Sequence, residues 1–520
     1  MHSSIPLVEV LLHEVRRLLL HVIGKSGIWL GPDLVNNRII EPQRRGPTNM
    51  GEEAPLLLCK GLEVRRGLRT ILKNVDLKVA EGEVVVLRGD NGCGKSTLLE
   101  TAAGIRMLRK GTVSHRTAEG EIAIIRNSHG HREIVSPFGL TLQKLALCGD
   151  ELVIERLELA LRVAGFESKD EEVQQLIQET MERWGLEHRK NDRIAWLSGG
   201  LARRVSILAG LLPAIGANKP TLFLLDEPDS GLDDKGIKIL AKTISELSEK
   251  GHGALVATHN EIIGDVATRT IEWENDKPNT TEVDYKVPTK KLSSTSKSIR
   301  LHTSTIRAES KWVSVLDRRT WGSFSSAGIA GLVALLLVLS FNLKMSENTR
   351  EWNTLLVFMP AMVMGLIPPQ SLNWASENGG LDWWDAMSAG NTPMGNPILQ
   401  RLIGGVITLI AIIIFKYEWE VQINSIAVYL LMAALAILLV ILNTNIVVAQ
   451  RRLVNSLERS NALLFNLFLP LLIYPFILFT NGIAQFLGNE NPVLGDLQNT
   501  LAGIAIFYCI YLALRLLKPQ

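Results

Sequence analysis

The sequence predicts two fold classes in one chain: an α/β domain built on a phosphate loop, then an all-α domain of six membrane-spanning helices. Three observations carry this. Glu83 to Thr97 reads EVVVLRGDNGCGKST, a buried strand running into a glycine loop and the first turn of a helix. Strand-like and helix-like stretches alternate from Leu56 to Trp273. From Lys311 onward only 23 of the chain's 108 charged residues occupy 210 of its 520 positions, and long apolar runs fill the space between them. The formal net charge of +2 offers no electrostatic case for a nucleic-acid partner.

Within the α/β part, Gly89, Gly94, Lys95 and Ser96 fit G-x-x-x-x-G-K-[ST]. Glycines let the backbone curl until several N–H groups face one anion at a helix N-terminus. Gly89, Asp90, Asn91, Gly92, Cys93, Gly94, Lys95, Ser96 and Thr97 are therefore the candidate nucleotide-binding residues. Lys95 is expected to reach the β- and γ-phosphates and the Ser96 hydroxyl to ligate Mg²⁺. This pattern points to a nucleoside triphosphate. Further on, the apolar strand Thr221 to Leu225 runs into Asp226-Glu227-Pro228. A carboxylate at the carboxyl end of a buried strand lies beside the phosphate loop in an open α/β sheet. Asp226 is expected to hold the Mg²⁺ hydration shell, and Glu227 to orient or deprotonate the attacking water.

Phosphate loop, Leu197-Ser198-Gly199-Gly200, Asp226-Glu227, Ser230-Gly231-Leu232-Asp233 and the strand-terminal His259 occur in that order over about 170 residues. Together they resemble the nucleotide-binding domain of an ATP-binding cassette (ABC) transporter. The resemblance implies ATP and Mg²⁺ as ligands, a γ-phosphate contact for His259, and a D-loop at Asp233. It also implies that Ser198, Gly199 and Gly200 close over the ATP of an opposite subunit. One phosphate loop and one such signature per chain then require a second cassette, a homodimer or a close homologue. Where most cassettes stack an aromatic ring on adenine this chain has Arg66, whose guanidinium plane can substitute by stacking and cation–π attraction. That variant is similar to the ATPase of cytochrome c maturation systems, CcmA. No glutamine occurs between Thr101 and Leu142 to couple Mg²⁺ to the membrane part; Asn127, His129, His131 and Glu133 are candidates to replace it. Leu201 also stands where the signature is usually followed by Gln.

Four domains are expected: an N-terminal extension over 1–49, the cassette over 50–274, a linker over 275–303 rich in Lys, Thr and Ser, and the transmembrane domain over 304–520. The extension is too short and too charged at His13, Arg16 and Arg17 to span a bilayer, and translation from Met50 is one reading of it. Cys59, Cys93, Cys148 and Cys509 show no metal spacing and are expected to be reduced and structural.

The six apolar segments are Gly322–Leu343, Trp352–Leu372, Ile398–Phe415, Ile423–Val447, Asn461–Ile483 and Leu497–Leu517. Each is near the 20 or so helical residues that cross a hydrocarbon core. With the cassette cytosolic, Lys311, Arg318, Arg319, Arg401, Arg451, Arg452, Arg459, Arg515 and Lys518 fall inside, and only Lys344, Arg350 and Lys416 outside. That places the chain in the plasma (cytoplasmic) membrane as a multi-pass protein in contact with lipid, both termini cytosolic. The loops Asn373 to Pro397 and Gln450 to Ser460 are the expected docking sites for the cassette, the first as a short amphipathic helix through Leu381, Trp384 and Met387. Glu377-Asn-Gly-Gly-Leu381 and Leu469-Pro-Leu-Leu-Ile-Tyr-Pro475 resemble the permease CcmB. A CcmA–CcmB fusion would imply heme trafficking for c-type cytochrome assembly, with heme and other maturation proteins as partners. No histidine follows His302, so axial histidine ligation of heme within the membrane half is excluded. The alternative is a general exporter of a lipid, glycan or drug.

Overall fold

The computed structural model describes residues 54–67, 69–167, 170–274, 277–282, 301–322, 324–342, 350–388, 398–415, 426–456, 469–488 and 494–516. The N-terminal extension, the start at Met50, most of the 275–303 linker, residues 457–460 of the 450–460 loop and the first part of the fifth apolar segment lie outside them, while 450–456, expected as loop, continue a helix that runs to Ser456. The chain divides into two compact units, one taking in Gly46–Thr320 and Asn373–Met394, the other Trp321–Leu372 and Gly395–Gln520.

The elements begin with β1 (Leu57–Arg66), β2 (Arg69–Val79), β3 (Val84–Gly89), α1 (Lys95–Ala102), β4 (Lys110–Arg116), β5 (Ile122–Asn127) and β6 (Gly139–Thr141). There follow α2 (Val153–Val163), α3 (Glu171–Arg183), α4 (Gly199–Ile215), β7 (Leu222–Asp226), α5 (Asp234–Glu249), β8 (Gly253–Ala257), β9 (Arg269–Glu274), β10 (Lys277–Glu282) and α6 (Leu301–Thr320). The helical remainder is α7 (Ile329–Asn342), α8 (Arg350–Leu366), α9 (Gln370–Ser376), α10 (Gly380–Ser388), α11 (Ile398–Phe415), α12 (Ile426–Ser456), α13 (Ile473–Gly488) and α14 (Gln498–Leu516).

The cassette unit carries two sheets. The smaller is antiparallel, ordered β2-β1-β4-β5; the larger is ordered β10-β9-β3-β8-β7-β6. In the larger sheet β9, β3, β8, β7 and β6 run parallel, and only β10 pairs antiparallel. Val84 to Leu87 is fully buried, as an unbroken apolar run in a strand covered on both faces must be. α5 shows the opposite pattern: Ile237, Leu240, Ala241, Ile244 and Leu247 recur at helical spacing and bury one face, while Asp233 caps its N-terminus by accepting from Gly236 N–H at 3.2 Å.

The second unit is a helical bundle in which α8 packs against α7, α11, α12 and α13. Glycines set the spacing. A Cβ on Gly365 would lie 2.6 Å from Asn443 Cβ, one on Gly404 2.7 Å from Val440, and one on Gly331 2.6 Å from Met364 Sδ. Small residues at these contacts let the apolar helices approach closely. By length and composition, 350–388 and Val428–Gln450 are long and apolar enough to cross a membrane, and Ser326–Ser340, Leu402–Ile414 and Ile473–Gly488 are shorter apolar helices.

Two buried histidines make the cassette sensitive to acid. His115 Nε2–H donates to Ala102 O at 2.8 Å, and His252 Nδ1 accepts from Thr221 N–H at 3.0 Å. Burial pulls both down to about 4. Unfolding returns them to their ordinary range near 6.5, so the unfolded chain binds more protons between the two values and stability falls as pH falls through that window. Each histidine is expected to cost about 2 kcal/mol of stability at pH 5 relative to pH 7. Denaturant unfolding of the purified protein beside a His115→Gln/His252→Gln variant at the two pH values, followed by tryptophan fluorescence, measures it as the difference between the two proteins.

Candidate functional site

The phosphate loop forms between β3 and α1. Gly89, Gly92 and Gly94 take φ of 137°, 84° and 116°, the left-handed region that glycine enters without strain. Gly89 also has no room for a side chain, since a Cβ there would lie 2.8 Å from Trp273 O. Lys95, nearly fully buried, turns back into the loop, donating from Nζ to Gly89 O at 2.5 Å and to Asp90 O at 3.0 Å. Its ammonium thus occupies the centre of the curl, with Cys93 Sγ 3.9 Å away.

The strand-end carboxylates meet this loop. Ser96 Oγ donates to Asp226 Oδ1 at 3.0 Å, joining the first turn of α1 to the end of β7. Asp226 is 1% exposed, and burial above all pushes its carboxyl up to about 6, against the lowering effect of the Ser96 hydrogen bond. A buried carboxylate and a hydroxyl side by side fit a hard divalent ion that takes oxygen ligands. Glu227 follows with φ of 43°, a left-handed backbone costing on the order of 1–3 kcal/mol for a residue with a side chain. Its N–H donates to Ala257 O at 2.8 Å, which fixes the turn that aims its carboxylate.

Glu227 Oε2 accepts from Gln143 Nε2 at 3.1 Å. Gln143 stands one residue past the glutamine-free stretch Thr101 to Leu142, two residues beyond β6. Of the residues expected in its place, Asn127 closes a turn after β5, its Oδ1 accepting from the N–H groups of His129 and His131 at 3.0 Å each. The signal that could have found Gln143 is its place two residues beyond the short buried strand Gly139–Thr141.

The remaining expected residues are dispersed around this centre. Ser198 caps α4, accepting from Leu201 N–H, with Gly199 and Gly200 opening the helix. Asp233 Oδ1 accepts from Arg204 Nη2 at 2.5 Å, a bond that holds its carboxyl below the usual range. His259 is exposed just after β8. Arg66, at the end of β1 and 55% exposed, lies 3.5 Å from Glu100 of α1 and so stands over the helix that follows the phosphate loop.

The 373–394 segment and α6 belong to the same unit as the cassette. Ala146 N–H donates to Asn378 O at 2.9 Å, Asn378 Nδ2 to Leu147 O at 3.0 Å, and Gly149 N–H to Glu377 Oε2 at 2.6 Å. α10 buries Trp383 and Trp384, with the Arg156 guanidinium 4.1 Å from the Trp383 ring and Trp312 of α6 against Trp384. Trp312 Nε1 donates to the buried Glu151 Oε2 at 2.9 Å, and Arg319 pairs with Glu155. The tryptophan pair is thus packed protein interior.

The ABC transporter family model matches residues 72–230. The macrolide export ATP-binding/permease protein MacB of Psychrobacter arcticus is 30% identical over 236 residues, covering 43% of this chain and 33% of its own length. The lipoprotein-releasing system ATP-binding protein LolD 2 of Caulobacter vibrioides is 32% identical over 212 residues, covering 40% of this chain and 89% of its own. The methionine import ATP-binding protein MetN of Clostridioides difficile is 28% identical over 222 residues, covering 42% of this chain and 66% of its own. The chain spans about a third of the length of the MacB proteins it matches. With a relative matched along nearly all its length on a cassette of this geometry, the chain belongs to the ABC transporter ATP-binding family, and its cassette is an ATPase.

Proposed function

We propose that this chain is an ATP-driven half-transporter: two cassettes clamp ATP between them, and the closing motion reaches a membrane bundle through the 373–394 segment. The observation that carries the ATP chemistry is the Ser96–Asp226 bond with Glu227 beside it. The loop N–H groups bind the polyphosphate, and Lys95 exchanges the carbonyls of Gly89 and Asp90 for phosphate oxygens. Ser96 and Asp226 would hold Mg²⁺, which supplies positive charge beside the phosphates when bound. Glu227 accepts a proton as water oxygen bonds to the γ-phosphorus and the bond to the bridging oxygen breaks, releasing ADP and phosphate. Gln143 Nε2 holds that carboxylate in place before water is there.

The membrane reading is supported by the outward faces of the bundle. Leu336, Leu337, Leu402, Val406, Ile413, Leu430 and Leu501 are all more than half exposed, while Asn353, Thr354, Thr408, Asn443 and Thr444 are buried. Apolar outside and polar within is the arrangement a hydrocarbon solvent selects. Six spans, both termini in the cytosol and a partner cassette complete this reading.

For the cargo, Arg66 and the sequences around Glu377 and Pro470 support heme trafficking in c-type cytochrome assembly. A general exporter is the second reading, favoured by the names of the relatives, macrolide export and lipoprotein release.

Lys95→Ala is expected to abolish binding of a fluorescent ATP analogue, whereas Glu227→Gln binds it and loses on the order of 10²–10³ in kcat. Unchanged turnover in Glu227→Gln removes the base assignment. Arg66→Ala should weaken ATP binding about 3-fold and Arg66→Tyr restore it, as measured by the same titration. Deletion in the native host, followed by heme staining for covalent c-type cytochromes, separates the cargoes: lost staining supports the first, and intact staining with ATPase stimulated by a drug or lipid supports the second.

A further inference from the structure

Arg203 has no part in the reading above, yet it holds the site together. It lies on α4, one turn after the Ser198-Gly199-Gly200 N-terminus, and is 3% exposed. Its guanidinium donates to four main-chain oxygens. Nη1 reaches Leu142 O at 2.9 Å and Gln143 O at 3.2 Å; Nη2 reaches Asp226 O at 3.0 Å and Glu227 O at 2.6 Å. One side chain therefore binds the ends of β6 and β7 and fixes the backbones of both residues whose side chains meet at 3.1 Å, Gln143 and Glu227.

The attachment does not stop there. Ser206, the next turn of α4, donates to Leu145 O at 2.8 Å. Gly139 and Gly210 bring β6 and α4 so close that a Cβ on Gly139 would lie 2.2 Å from Gly210 O. No side chain separates the two elements, so they cannot slide past each other without a clash. Burial pulls the guanidinium's affinity for its proton down, while the charges of Asp226, Asp229 and Glu227 oppose that. A lysine supplies one point charge in place of this planar fork and cannot bridge four carbonyls at once.

We propose that Arg203 is the positioning residue of the Glu227 carboxylate: reaching from α4, it fixes the main chain of Gln143 and Glu227 together and so keeps the carboxylate set for attack. This rests on the reading that Glu227 is the base. The same segment, 142–149, ends on Asn378 and Glu377, so the ordering reaches the transmitting loop as well.

The test is steady-state ATPase of the full-length protein in lipid vesicles, with Arg203→Gln and Arg203→Lys beside wild type. Binding of a fluorescent ATP analogue should stay within about 3-fold while kcat falls at least about 10-fold in Arg203→Gln, with Lys intermediate. Wild-type kcat in Arg203→Gln overturns the proposal. So does joint loss of binding and melting temperature in both variants, which assigns Arg203 to folding alone. Failure of the underlying reading looks different: Glu227→Gln would itself turn over ATP at the wild-type rate.

Discussion

A carboxylate sealed from water is the constraint around which the cassette is arranged. Asp226 ends a strand that is buried along its whole length, and the side chain meets one hydroxyl, that of Ser96, rather than a full solvation shell. Ionising it in that setting is costly. Two cations stand by it, Arg203 fixed on main-chain oxygens at the end of the strand and Lys95 held on two carbonyls of the adjoining loop.

Segment 142–149 is where three demands meet. At one end its glutamine touches the Glu227 carboxylate; in the middle its carbonyls are held by α4; at the other end its amides grip Asn378 and Glu377. An irregular stretch of backbone has many unsatisfied donors and acceptors, and these have been spent on parts of the chain far apart in sequence. That makes the segment a joint: its geometry is specified by neighbours rather than by its own propensity.

The sequence made the nucleotide site legible because its chemistry needs particular residues at fixed spacing. Glycines at 89, 92 and 94 are required by positive φ, and the acid pair at 226 and 227 by the end of a buried strand. Gln143 is not marked in the sequence, because the strand before it is only three residues long and sets no visible boundary. Arg203 escaped for a deeper reason: its partners are main-chain oxygens, which every residue carries, so nothing in the letters marks them. The helix at 380–388 was foreseen from the spacing of Leu381, Trp384 and Met387, but Arg156 over Trp383 was not, since a guanidinium and a ring more than two hundred residues apart carry no shared pattern. Helices fill the apolar segments where the described residues reach, apart from a break at Ile367–Pro369 in the second, where two adjacent prolines end α8.

Because α6 and α10 complete the cassette unit from far along the chain, its border cannot be drawn by cutting the polypeptide once. A fragment stopping near Glu274 keeps every residue of the nucleotide site but loses Thr305, Trp383 and Met387, which close an apolar hollow beside Phe138, Leu140 and Ala160. Stripped of that cover, the fragment would turn an oily trench toward water, along with a Glu151 carboxylate that keeps Arg156 and the Cys148 N–H but loses Trp312. Engineering a free-standing version of this enzyme means splicing two distant pieces together, or repainting the trench with polar side chains.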